Sequence, residues 1–166
     1  VHVSMTGGSL QSKGNGHYVA VPSAVCKDVV FSISATERGK LRQMGSFSFK
    51  VRKLPDPTPY ITIGTDRYKG GGLAKGSLMG ARGVHAAIDD GLLDIPFKVL
   101  GFECVFFDNM GNAVPMASNG ANFSDRQREA FRKLSRNRRF YISQVTAVGP
   151  DGITRKLPGA MEIVVK

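Results

Sequence analysis

Phe49-Lys-Val-Arg-Lys-Leu-Pro-Asp-Pro-Thr-Pro-Tyr60 divides this chain in two, because an alternating strand runs directly into three prolines set one residue apart. From Phe47 to Val51, apolar side chains alternate with Ser48 and Lys50, the pattern of a strand with one buried face. Pro55, Pro57 and Pro59 then fix φ and push Asp56 and Thr58 toward extended conformations. The spacing predicts a stiff spacer that cannot continue a sheet ladder: a joint, made of Pro55, Asp56, Pro57 and Pro59, between two β-rich modules.

Upstream of the joint, turn signals recur every eight to twelve residues at Thr6-Gly-Gly-Ser9, Lys13-Gly-Asn-Gly16, Pro22-Ser23 and Glu37-Arg-Gly-Lys40. The runs between them, Val1 to Met5, His17 to Val21, Val29 to Ala35 and Ser46 to Arg52, read as strands at sandwich spacing. An immunoglobulin-like sandwich takes about seven strands and about 100 residues. Residues 1–54 therefore predict a partial sandwich, completed either by strands from upstream chain or by a second copy through strand exchange, with an unpaired edge in both cases.

Downstream, Tyr60 to Gly64 reads as a short strand and Lys69-Gly-Gly-Gly72 as a turn too rich in glycine for regular structure. Ala74 to Asp90 has helical composition, broken into one or two short pieces by Gly76, Gly80 and Gly83. Ile95 to Phe107 predicts a long strand bulged at Gly101, closed by the turn Asp108-Asn-Met-Gly-Asn112. Ser124 and Gln127 stand in capping-box relation, with Asp125 at the positive end of the helix they start. Ala130, Phe131 and Leu134 share a face with Gln127 as the core stripe. Phe140 to Val148, Ile153 to Leu157 and Met161 to Val165 read as closing strands, with Gly149-Pro-Asp-Gly152 as a hairpin turn. The fold class is thus mainly β with minor α: a partial immunoglobulin-like β-sandwich over residues 1–54, a proline-rich joint over 55–59, and an α+β domain over 60–166 with an antiparallel sheet and one main helix.

Across 166 residues the composition is 42% hydrophobic, ample for a globular core, and no apolar run is long enough to cross a membrane as a helix. The chain opens on Val1 and not on Met, which predicts a processed or excised piece whose targeting segment lies upstream. Lys and Arg number 23 against 13 Asp and Glu, and the resulting +10 favours an acidic protein surface, nucleic acid or anionic lipid as partner. Cys26 and Cys104 flank the joint without zinc or redox spacing, and two buried thiols are favoured over a disulfide between them.

Chemistry-bearing motifs are weak. Gly71-Gly-Leu-Ala-Lys-Gly-Ser77 imitates a phosphate loop but ends Lys75-Gly76-Ser77, so no lysine sits at the helix start to reach a terminal phosphate. His85 and Asp89 would share one helical face, yet no serine or cysteine nucleophile accompanies them, and His2 and His17 lack partners at ligand spacing. No catalytic, cofactor-binding or metal-ligating residue is assigned, and no enzyme or cofactor is expected. The basic helix is the strongest signal: Arg126, Arg128, Arg132, Lys133 and Arg136 point away from the core stripe, and Arg138 and Arg139 continue the patch. Arginine-rich surfaces suit bidentate contact with carboxylates or phosphates. A nucleic-acid-binding module is the alternative, but an aromatic pair for stacking bases, a zinc framework and a helix-turn-helix are all missing, so a protein with an acidic face is the more economical partner.

The Phe49 to Tyr60 segment, Gly70-Gly-Gly72, Phe97-Lys-Val-Leu-Gly-Phe102, Ser118-Asn-Gly120 before Phe123-Ser124, and Gly149-Pro-Asp-Gly152 occur in an order that resembles the C-terminal periplasmic region of the GldM/PorM family. The likeness covers most of residues 45 to 166 and is weaker before that. It implies a non-enzymatic component of the type IX secretion and gliding machinery, dimeric and periplasmic. It also implies an inner-membrane anchor in an N-terminal segment absent from this chain, where an upstream proton-driven motor partner is met. Residues 1–54 would belong to the penultimate immunoglobulin-like domain. Residues 60–166 would form the terminal domain, which meets a ring of an outer-membrane-associated lipoprotein and its periplasmic partner. The resemblance assigns no individual contact residue.

Overall fold

The computed structural model describes residues 1–25 and 27–166 and divides into two compact units, Val1–Leu54 and Pro55–Lys166.

The first unit is all strand: β1 (His2–Thr6), β2 (Gly8–Gly14), β3 (His17–Pro22), β4 (Asp28–Glu37) and β5 (Lys40–Lys50). β1, β4 and β5 form an antiparallel sheet in that order, and β2 and β3 form a separate hairpin. Arg38 and Gly39 both take positive φ, as a two-residue hairpin joining β4 to β5 requires. β2 was not expected. Its only large apolar residue is Leu10, so no alternation announces it, and it exists through backbone pairing with β3. Among the described residues of this unit only Val29 is a buried hydrophobe. Phe47 and Phe49 on β5 remain 52% and 57% exposed, and with Phe31, Ile33, Tyr18 and Leu10 they line an open apolar cleft.

The second unit has a finished core. It contains β6 (Thr58–Ile63), β7 (Asp66–Tyr68), β8 (Gly71–Leu73), α1 (Lys75–Gly80), β9 (Val84–Asp89), β10 (Asp94–Phe107), β11 (Ala113–Asn119), α2 (Asp125–Lys133), β12 (Arg139–Val148), β13 (Thr154–Lys156) and β14 (Met161–Val165). The sheet runs β7-β6-β9-β10-β12-β14-β8, with β11 also pairing β10 and β13 also pairing β12. The described strands pair antiparallel except β8 with β14. Phe131 of α2 is the centre of the core, with Phe123, Phe140 and Phe106 at 5.0, 5.1 and 5.8 Å between ring centroids. Register shifts fall on both sides of Gly101, and Gln144 at positive φ marks the matching irregularity on β12.

Four expectations change. Residues 84–89 are the strand β9 and not helix: it lies between β6 and β10, with Val84, Ala86 and Ile88 buried and His85 and Asp89 exposed, and the buried Ala87 breaks the strand alternation in the sequence. The glycine-rich turn contains β8, where Gly71 at φ 107° takes a conformation closed to other residues and still pairs with Ile163. β11, unannounced by the sequence, folds back on β10 through the Asp108 turn, whose carboxylate accepts from the backbone of Met110 and Asn112.

The last change concerns the prolines. Pro57 is buried, and Pro59 lies inside β6 opposite Ala86 of β9. β7 pairs β6 only from Ile61 onward, so Pro59 has a free edge on its other side, where a missing N–H costs no ladder bond. Asp56 is tied to the same unit through Arg155, a side chain 4% exposed that lies 3.3 Å from Asp56, pairs with Asp151 at 2.6 Å and covers the Phe97 ring at 5.3 Å.

Candidate interaction surface

α2 is built as its sequence demands. Ser124 accepts from the Gln127 amide at 3.3 Å, and Gln127 Oε1 accepts from the Ser124 amide at 2.9 Å. Gln127 does more than cap: fully buried, it donates through Nε2 to the Met116 carbonyl at 2.7 Å and so fastens the helix to β11. At the other end, Lys75 of α1 donates to the carbonyls of Arg132 and Leu134 at 2.7 and 2.9 Å. The lysine of the phosphate-loop lookalike therefore neutralises the negative end of α2.

That cap ends the helix at Lys133, with Leu134 extended, so Arg136 does not belong to it and sits in the turn that follows. At 100° per residue the basic side chains also divide. Arg128 and Arg132 lie one turn apart on one flank, where Arg128 donates to the Arg82 carbonyl at 3.2 Å. Arg126 and Lys133 lie on the other flank, with Ala130 between them. Glu129 separates the two rows and pairs with Arg132 at 3.0 Å and Lys133 at 3.9 Å. Arg139 pairs with Glu162 at 3.3 Å. Arg126, Arg136 and Arg138 make no ion pair among the described residues.

The sequence missed an apolar component of this surface. Phe107, 39% exposed at the end of β10, combines with Ala130 and Leu134 as the floor of an open groove of about 460 Å³, rimmed by Lys133, Arg138 and Arg139. Phe107 looks like an ordinary outward strand residue in sequence, and only the fold brings it to the end of α2.

The other candidate positions are not assembled. His85 lies exposed on β9, stacked on Tyr60 at 5.6 Å, while Asp89, four residues along the same extended strand, is held by Lys69 and Arg67 at 3.3 Å each. At about 3.3 Å per residue they are roughly 13 Å apart and form no dyad. The Lys69 ammonium, with Arg67 adding to it, holds the Asp89 carboxyl below the usual carboxylate range. Cys104 is a buried thiol whose ionisation is pushed far above its ordinary range by desolvation. Cys26 lies outside the described residues, and with it the question of their pairing. His2 is exposed on β1 and His17 on β3. Among the described residues no three His, Cys, Asp or Glu side chains gather as a metal site, and no helix is long and apolar enough to cross a membrane.

The fold and this surface define a β-rich protein of two units: one with an open apolar face, the other with a closed core and a cationic exterior. The chain belongs to the GldM family, matching the model of the GldM C-terminal domain over residues 55–166 and that of the GldM third domain over residues 1–52. The family supplies periplasmic domains to the type IX secretion and gliding machinery, as structural components. A search of curated proteins found no match.

Proposed function

We propose that this chain is the terminal part of a dimeric, non-enzymatic periplasmic shaft that links an inner-membrane proton-driven motor to an outer-membrane-associated ring. The 55–166 unit docks on the ring's lipoprotein and periplasmic partner. The anchor and the motor contact belong to segments outside these residues, and Pro55, Asp56, Pro57 and Pro59 stiffen the chain where it enters the terminal unit. The observation that carries this reading is the arginine-rich surface around α2, where Arg126, Arg128, Arg136 and Arg138 lack a carboxylate partner among the described residues, on a domain whose core is already closed. A surface of that kind is suited to an acidic protein face. The dimer is supported by the 1–54 unit, where Phe47 and Phe49 stand about half exposed and Tyr18 38% exposed around an apolar cleft that a second copy would cover.

The test is a charge reversal, Arg128→Glu, Arg132→Glu and Arg136→Glu together, in the whole chain, with binding to the purified ring proteins as the readout. The reading predicts at least a tenfold loss of affinity with both units still folded. Unchanged affinity removes Arg128, Arg132 and Arg136 from the interface.

A further inference from the structure

The basic surface carries an aperture that the charge pattern alone does not describe. The groove at the end of α2 has a floor of Phe107, Ala130 and Leu134 and a rim of Lys133, Arg138 and Arg139. Basic side chains near a helix C-terminus commonly serve the helix dipole. Here that role is taken by Lys75, which bonds two of the last carbonyls, so the rim cations are free for another task. Lys133 shares Glu129 with Arg132, and Arg139 has Glu162, but Arg138 has no ion-pair partner among the described residues. Apolar surface left open beside an uncompensated guanidinium combines two recognition elements: burial of an apolar side chain and a charge-assisted contact with a carboxylate.

We propose that this groove is the docking site for an acidic linear segment of a partner protein, one that carries an aromatic or large aliphatic side chain between carboxylates. The apolar side chain enters between Phe107 and Leu134, and the flanking carboxylates meet Arg138 and Lys133. Asn137 stands at the same lip, where its side-chain amide can meet an extended peptide backbone. A volume of about 460 Å³ suits a few residues of extended chain. Charge complementarity selects the acidic partner, and the apolar floor separates it from a plain polyanion such as DNA, which needs no apolar insert. The assignment deepens the docking role proposed above and rests on it.

The test is an NMR titration of the whole chain with two peptides of eight residues, both alternating Asp and Glu, one with a central Phe and the other with Ala in its place. The site predicts shifts at the amides of Phe107, Ala130, Leu134, Asn137 and Arg138, and at least tenfold tighter binding of the Phe peptide. Arg138→Glu should weaken both peptides tenfold or more, while Phe107→Ser should erase the preference for Phe, with the remaining spectrum reporting that the fold is intact. Equal affinity for the two peptides, shifts confined to the Arg128 and Arg132 flank, or no shifts at millimolar peptide would overturn the proposal. Binding to the ring proteins separates the two levels. If the ring binds and neither Arg138→Glu nor Phe107→Ser weakens it, the groove assignment fails and the docking reading stands; if the ring does not bind the parent chain, the docking reading itself fails.

Discussion

Gln127→Ala tests how the terminal domain holds its interaction helix. The side chain closes the N-terminal cap through Oε1 and bonds β11 through Nε2, both without access to water. Losing the cap bond costs about 1 kcal/mol. Losing the bond to the Met116 carbonyl costs about another 1 kcal/mol, and stranding that carbonyl in the space left behind adds roughly 1 kcal/mol more. The sum, about 3 kcal/mol, is set against about 1 kcal/mol for Ser124→Ala, which removes only the hydroxyl half of the cap. Urea unfolding followed at amide resonances of β10 and β12 reports this unit alone. With a slope of about 1.5 kcal/mol per molar urea, Gln127→Ala should lower the midpoint by roughly 2 M and Ser124→Ala by less than about 1 M. Equal losses for the two variants would refute the bridging role and reduce Gln127 to a cap.

Further consequences can be checked in the same way. Gly83→Ala places a Cβ 2.0 Å from the Ala121 carbonyl oxygen, so the backbone must move and the terminal unit should lose about 1–3 kcal/mol in the same urea assay. Arg155 holds the Asp151 carboxyl below its ordinary range, so the folded state gives up that proton more readily than the unfolded chain. The resulting stabilisation is complete above the unfolded carboxylate value of about pH 4 and is lost as pH falls through the lower folded value. Asp151→Asn should therefore flatten the acid limb of stability against pH, and an unchanged limb would contradict the pairing. In a Cys26→Ser background, Cys104 should resist a thiol reagent until the terminal unit unfolds, with modification tracking the urea transition. Pro57→Gly should lower the stability of the terminal unit, because that ring is buried within it, whereas Pro55→Gly at an exposed position should not.

What the sequence made legible was local chemistry. The Ser124 and Gln127 box, the Gly149 to Gly152 turn and the alternation of Met161 to Val165 each act over a few residues and stand where they were read. β9 was misread because the apolar run Ala86-Ala87-Ile88 interrupts the alternation of Val84, Ala86 and Ile88 with His85 and Asp89, and alanines at 86 and 87 favour a helix. β8 was hidden because its glycines signal a turn, while its pairing with β14 comes from residues about ninety positions away. The basic residues were visible as a cluster, but their arrangement was not. The helix stops before Arg136 through a lysine 59 positions from the Leu134 carbonyl it bonds, and the groove needs Phe107 from a strand that only the tertiary fold places beside α2.

The most direct test of the proposed role compares two partners for the whole chain at physiological salt: the purified outer-membrane-associated ring proteins and a double-stranded DNA fragment. The docking account predicts saturable binding to the ring proteins and at most weak, salt-labile binding to the DNA. Tight DNA binding that falls steeply with salt, together with no binding to the ring proteins, would contradict it.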